Sequence, residues 1–584
     1  MIRNWTKQSK DDTSAFKRCR LTALQNIPLL PRSLRRPALL ALVFFALPLQ
    51  MLHAQALPDA GSLQQQLDRD RRPDLPPQRA LPSLPAEAQP RLPTGGTAVT
   101  VKGFHYVGNT LLAATQLDAE LGPFHGRSLD MYGLQQATDA VMALYRRQDR
   151  VVRAYLPRQD VTDGVVTIQI IEAVLGKVVI EEEGKPLVKP AKLQSMIESA
   201  QPPGHLLDGK ALDRALLLAD DLPGVAVSGT LRAGDTEGET DLVLKLSHEA
   251  RSLGDVTLDN SGARSTGANR VSGSLTLNSP AGIGDLAQAT VSHTEGSDYV
   301  RAAYSLPLGD DGLRVGLSAS ALSYRLVVPE FAALDAKGTS TGVGVDASYP
   351  LVRSREGNVY LNVNLDHKRF NNRSSGVTQS DYGVDSATVA VNANRYDQWL
   401  GGGTTSLYLG VLSGRLALGA PDANENAALN GPFSKLRYNL SRQQVITDSL
   451  SVMGSITGQY ARKALDSSEK FYLGGPGGVR AYPANEAGGS SGEVASLELR
   501  QRLPARFIVY GFYDWGHVRN LDGAASYSLR GAGLGLSWSP SESWSLKATL
   551  AQRLGSNPNP TATGKDQDGS LKKLRAWLNA SYLY

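Results

Sequence analysis

Over the last 334 residues (251–584) apolar and polar side chains alternate in steps of two, the period of a strand with one apolar face. In "NVYLNVNLD" (358–366) Val359, Leu361, Val363 and Leu365 fall on one side, and Tyr360, Asn362, Asn364 and Asp366 on the other. "VSGSLTLNS" (271–279) sets Val271, Gly273, Leu275 and Leu277 against Ser272, Ser274, Thr276 and Asn278. "RVGLSASAL", "ATVAVNANRY" and "WSLKATLAQRL" repeat the pattern, and the final "LRAWLNASYLY" alternates to the end of the sequence. The polar face is rich in hydroxyls and amides rather than charges. That suits strands with lipid outside and water inside, although a secreted sandwich or solenoid shares the period. No fixed short repeat supports a solenoid. At roughly 20 residues per strand and connection, the region predicts about 16 strands.

Residues 98–250 read as mixed α/β, twice over. "VTVKGFHYVGN" (99–109) predicts a strand, and "LQQATDAVMALYRRQ" (134–148) puts Leu134, Ala137, Val141, Leu144 and Tyr145 on one helical face. "VVRAYLP" (151–157) and "GVVTIQIIEA" (164–173) return as strands. The second unit starts at "LGKVVIEEE" (175–183), continues through helices near 189–200 and around Leu212–Ala219, and closes on "GVAVSGTLRAG" and "TDLVLKLSHEA". Two β-α-α-β-β copies of about 75 residues each are small modules.

Before them, residues 57–97 are polar. "SLQQQLDRDRR" (62–72) predicts a short helix with Ser62 as its N-cap, and only Leu63 and Leu67 are apolar, too few to bury in a core. Seven prolines between Pro73 and Pro93 make an extended, semi-stiff linker.

The start of the chain changes the charge balance. Nine Lys/Arg residues precede "PALLALVFFALPL" (37–49) and the small-residue ending "HAQA" (53–56), the order of a secretory signal cleaved after Ala56. Thirteen apolar residues fall short of the roughly 20 that span a membrane as a helix. Without residues 1–56 the chain keeps 52 basic and 54 acidic residues, so the pI near 9.0 belongs to the export segment and nucleic acid is not an expected partner. The single cysteine, Cys19, leaves with it, which excludes disulfides and thiol chemistry from the mature protein.

Four stretches in order resemble one family. "LDNSGARSTGANRVSGSLTLNSPAGIGDLAQATVSHTEG" (258–296) resembles the first barrel hairpin of two-partner secretion transporters, the TpsB class of hemolysin activators and hemagglutinin exporters. "GFHYVGNT" (103–110) resembles the first strand of a POTRA domain. "LGGPGGVRAYPANEAGGSSG" (473–492) and "YGFYDWGHV" (510–518) resemble the family's loop motif and the strand motif after it. The resemblance covers residues 57–584. It implies a mainly β fold: a transmembrane antiparallel barrel of about 16 strands (251–584) preceded by two α+β POTRA domains (98–173 and 174–250). It also implies a pore-plug helix carrying Leu63 and Leu67, and a loop near 466–492 folded into the lumen.

Within that loop Gly474, Gly475, Gly477, Gly478, Val479 and Tyr482 surround Arg480. The family pattern pairs this arginine with an aspartate on an inward-facing strand, here Asp514. Ala481 departs from the family's glycine, which puts a left-handed backbone there in doubt and leaves the turn to the four glycines. The partner implied is an unfolded exoprotein, captured in extended form by the POTRA domains, exported through the barrel and folded outside. Other expected partners are outer-membrane lipid, periplasmic chaperones and the barrel-assembly machinery. "GGPGG" lacks the lysine and following helix of a phosphate cradle, so nucleotide hydrolysis is not expected.

No catalytic set is expected either. The spacing G-x-S-x-G occurs in "GTSTG" (338–342) and "GGSSG" (488–492), but in neither case between a strand and a helix as a nucleophile elbow requires. There is no H-E-x-x-H, and His293, His367 and His517 stand singly in predicted strands. Neither cofactor nor metal is called for. A barrel-assembly insertase is the alternative reading and a porin the third; two POTRA units behind a leading helix favour export.

Overall fold

The computed structural model describes residues 58–70, 98–161, 163–419, 428–521, 525–561 and 563–584. The expected export segment, with its expected cleavage point after Ala56, and the proline-rich stretch lie outside the described residues.

The first α/β unit runs Gly103–Val107, Ala114–Leu121, Met131–Arg147, Val152–Tyr155 and Val165–Glu172. The last strand is central: it pairs in parallel with the first and antiparallel with Val152–Tyr155. Both helices lie on one face of the sheet, where Leu117, Leu121, Val141, Tyr145, Ile168 and Ile170 exclude water. The expected strand 99–109 is broken. Val99–Thr100 pairs instead with Ser128–Leu129, and the main strand starts at Gly103, which a sequence period does not reveal. The second unit repeats the order with Val174–Glu183, Pro190–Ala200, Gly209–Asp220, Val225–Ala233 and Glu239–His248. Asp208 caps the second helix, its carboxylate accepting from the backbone of Lys210 and Ala211.

Sixteen antiparallel strands then close on themselves. The last, Leu574–Leu583, pairs with the first, Ser252–Asp259, so that no edge is left open within the bilayer. Alternation decides the two faces. Val271, Leu317, Val343, Val345, Leu365, Val389, Val411 and Leu578 are exposed on the outer surface. Asn358, Asn372, Asn392 and Asn394 are buried on the lumen side. The longest strands are Lys337–Arg353, Gly357–Ser374 and Val377–Asp397, the last of 21 residues.

The periplasmic turns carry the second α/β unit. Arg353 donates through Nε and Nη2 to both oxygens of Asp221 at 2.7 Å, a fork-to-fork geometry. Arg355 reaches Asp213 at 2.6 Å, Lys192 reaches Asp310 at 2.6 Å, and Arg214 pairs with Asp311. Two separate turns thus hold one domain. These contacts also orient the barrel, since the opposite strand ends face the cell exterior.

Candidate functional site: the loop and helix inside the barrel

Between Leu450–Ala461 and Ser491–Leu503 the chain does not continue outward but folds into the lumen. Phe471–Tyr472 and Gly488–Gly489 pair as a short antiparallel ladder, and Leu473 turns back through bonds to the carbonyls of Glu486 and Ala487. The tip packs like a small core. Leu473, Val479, Ala481, Tyr482 and Ala487 are buried together with Val518, Leu529 and Ala551 of the wall.

The wall is shaped to receive them. A Cβ on Gly516, two residues after Asp514, would stand 2.9 Å from the Val479 side chain. A Cβ on Gly531 would stand 2.6 Å from that of Ala481. Ala481 therefore needs no positive φ: its methyl group occupies the space left by Gly531 across the lumen. Of the four motif glycines only Gly475 is left-handed (φ 99°), while Gly474 and Gly478 serve close backbone approach. The other left-handed positions of the loop are Asn485 and Ala487, with φ 63° and 58°.

Arg480 stands at the centre. Its Nε donates to Asp514 Oδ2 at 2.9 Å and its Nη2 to Oδ1 at 2.6 Å, and its own backbone N–H also donates to Oδ2. Nη1 reaches Glu498 at 2.6 Å and Nη2 reaches Ser496 at 2.9 Å. The guanidinium carbon lies 3.5 Å from the centre of the Phe512 ring. Trp577, on the closing strand, donates its indole N–H to the Arg480 carbonyl at 2.8 Å. Asp514 is fully buried, so each carboxylate lone pair lost would be costly. Four residues around this arginine, Ser496, Glu498, Phe512 and Trp577, had no mark in the sequence beyond lumen parity on their strands. Only register brings them together.

A second anchor lies at the other end of the loop. Glu486 accepts from Asn557 Nδ2 and from the Gln567 backbone, both on the last outer loop. Burial pushes its carboxyl up to about 7, against the pull of those two bonds. Tyr482 lies beneath the Arg553 guanidinium at 4.2 Å, and Arg553 pairs with Asp566.

The helix Ala60–Asp70 lies inside the same lumen. It begins two residues before the expected 62–72, and Asp59 rather than Ser62 is the cap: the Asp59 carboxylate accepts from Ser62 N at 2.8 Å. Ser62 returns its hydroxyl to the Asp59 carbonyl. Leu63 is buried and Leu67 packs beside it against Tyr299, Leu322, Tyr324 and Phe370. Its polar residues find partners in place of water, which is how a helix without a wide apolar face is held. Ala60 N donates to Asn372 at 2.9 Å, Gln66 to the Ser261 carbonyl at 3.1 Å, and Lys368 reaches Asp68 at 2.5 Å. The helix also touches the folded loop directly. Arg69 donates to the carbonyls of Tyr472 and Gly474 at 3.0 and 3.1 Å, and Gln65 to that of Lys470.

Residues 238–538 match the family described as haemolysin secretion/activation protein ShlB/FhaC/HecB, and residues 99–173 match its ShlB-type POTRA domain. The chain belongs to that family. It is 26% identical over 529 residues to the heme/hemopexin transporter protein HuxB of Haemophilus influenzae (strain 86-028NP), across 86% of this chain and 92% of that protein. It is 26% identical over 539 residues to the outer membrane transporter CdiB of Escherichia coli, across 85% and 87%. The solved structure of CdiB from Escherichia coli has the same fold, with a TM-score of 0.68 at 22% identity over 91% of this chain and 100% of that one. As a haemolysin secretion/activation family member, the protein is an outer-membrane transporter that exports a partner exoprotein by two-partner secretion.

Proposed function

We propose that the lumen is closed at rest by the helix Ala60–Asp70 and the folded loop acting as one unit, and that the cargo opens it. The observation that carries this reading is Arg69, whose guanidinium ties the helix to the loop at Tyr472 and Gly474. Displacing the helix removes two charge-assisted bonds from the loop base, while the Arg480–Asp514 clasp keeps the loop tip against the wall.

The cargo, a hemolysin- or hemagglutinin-like exoprotein, arrives unfolded and is held in extended form by the POTRA domains. Sheet-edge strands such as Val152–Tyr155 offer strand addition, which depends on backbone more than on side chains and tolerates many sequences. Folding of the emerging chain beyond the barrel makes transfer one-way without nucleotide. None of the residues around the clasp forms a nucleophile-and-base pair, so the lumen holds and positions rather than cleaves.

Deleting the gene tests the cargo directly: one large exoprotein is expected to vanish from the culture medium, and an unchanged secretome rejects export. General loss of barrel proteins from the same cells would point to assembly instead.

A further inference from the structure

Three cations stand in a row on the outside of the barrel. Arg325 ends the strand Leu313–Arg325, Lys337 begins Lys337–Arg353, and Arg373 lies near the end of Gly357–Ser374. The register sets Arg325 opposite Lys337 and Lys337 opposite Arg373. Parity places all three on the lipid side: steps of two lead from Arg325 to Leu317, from Lys337 to Val343 and Val345, and from Arg373 to Leu365, all exposed apolar residues. The row sits at the extracellular rim, because the opposite ends of the neighbouring turns hold the second POTRA domain through Asp310, Asp311 and Arg353.

Like charges directly opposite on neighbouring strands destabilise a sheet. Part of the charge is met locally: Lys337 has Asp335 at 2.9 Å, and Arg369, two steps inward on the third strand, has Asp381 at 3.5 Å. Arg325 and Arg373 donate only to carbonyls, of Glu295 and Gly376, which neutralise nothing. Among the described residues neither arginine has a carboxylate within ion-pair distance. Arg325 and Arg373 are exposed and the Lys337 side chain is 49% exposed, so all three cations are open to the bilayer surface.

We propose that this row binds the phosphates of the outer leaflet's phosphorylated glycolipid, lipopolysaccharide. Its phosphates would lie across Arg325, Lys337 and Arg373, and its acyl chains along Leu317, Val343, Val345 and Leu365, continuing the lipid belt already described. Arginine suits the task because its planar fork matches phosphate oxygens bidentately. The same strands grip the lumen helix from inside, where Asn372 accepts from Ala60 N and from the Tyr324 hydroxyl. Lipid on the outer face would therefore stiffen the wall that holds the plug.

The test uses the full-length protein folded in neutral detergent and titrated with purified lipopolysaccharide, reading the rise in its unfolding temperature. The wild type is expected to respond. Arg325→Gln/Lys337→Gln/Arg373→Gln should need on the order of a hundredfold more lipid, at about a fivefold loss per cation. The charge-keeping Arg325→Lys/Arg373→Lys variant should retain most of the response. Arg373→Gln alone, expected to lose about fivefold, serves if the triple variant assembles poorly. An undiminished response in the glutamine variants overturns the proposal. So does an equal response to phosphatidylglycerol or to inorganic phosphate at matched phosphate, since either would show only a general anion effect.

Discussion

Lys368, on the inner wall, reaches Asp68 of the lumen helix at 2.5 Å, and both side chains are largely shielded from water. The pair is separated by 300 residues of sequence. It joins the element that fills the pore to the element that encloses it. Lys368→Ala should leave the Asp68 carboxylate poorly solvated and loosen the helix. The expected outcome in planar bilayers is a larger and more frequently open conductance, with the charge swap Asp68→Lys/Lys368→Asp returning much of the closed behaviour. Conductance unchanged by Lys368→Ala would remove this pair from the closed state.

Arg480 serves as the loop's attachment because three of its donors and its ring contact converge on one wall. Removing it strands Asp514, fully buried, and costs roughly 3–5 kcal/mol of local stability. Arg480→Ala should still yield a heat-modifiable barrel, while secreted cargo falls at least about tenfold. Arg480→Lys keeps the charge and loses the fork, so its secretion should lie between the two. Normal secretion by Arg480→Ala would free the clasp from any role in export.

Ala481 and Gly531 form a size-matched pair. A methyl group added at Gly531 would come 2.6 Å from that of Ala481, closer than packed carbons allow. Gly531→Ala should expose the loop tip to added protease and lower export. Gly531→Ala/Ala481→Gly should recover protection, because the methyl has merely moved across the contact. The double variant remaining as sensitive as the single one would contradict the pairing.

Glu486 adds a dependence on pH. Its folded pKa of about 7 lies above the ordinary carboxyl value, so the folded loop favours the protonated form. Attachment to the last outer loop is then strongest below the ordinary value and weakens as pH rises from about 4.5 to about 7. Protease cleavage of the loop at pH 8 should exceed that at pH 5.5 after correction for protease activity. In Glu486→Gln the difference should disappear.

The Arg353–Asp221 fork predicts a firm POTRA seat. Since Cys19 is the single cysteine, a Cys19→Ser background lets paired spin labels be placed on the second POTRA domain and on a barrel turn. Asp221→Asn should broaden the distance distribution between them, and Asp221→Asn/Asp213→Asn should broaden it further, because Arg355–Asp213 is the neighbouring support.

The period of two determined that residues 251–584 form strands with one apolar face, and the family resemblance turned that face toward lipid, where a sheet must close because hydrocarbon satisfies no open edge. The repeated helix and strand periods likewise determined two α/β units, and the family resemblance implied one contact between Arg480 and Asp514. Local sequence could not say what else surrounds the arginine. Ser496, Glu498, Phe512 and Trp577 come from strands whose register is set by closure of the whole barrel. Nor could it show why Ala481 is tolerated, because the answer is an absent side chain at Gly531, 50 residues away. The helix 60–70 shows the same limit. Its composition suited water, yet inside the lumen Gln65, Gln66, Arg69 and Asp68 are satisfied by carbonyls and a lysine brought there by the fold. Partners distant in sequence are a property of closure, and only the tertiary structure supplies them.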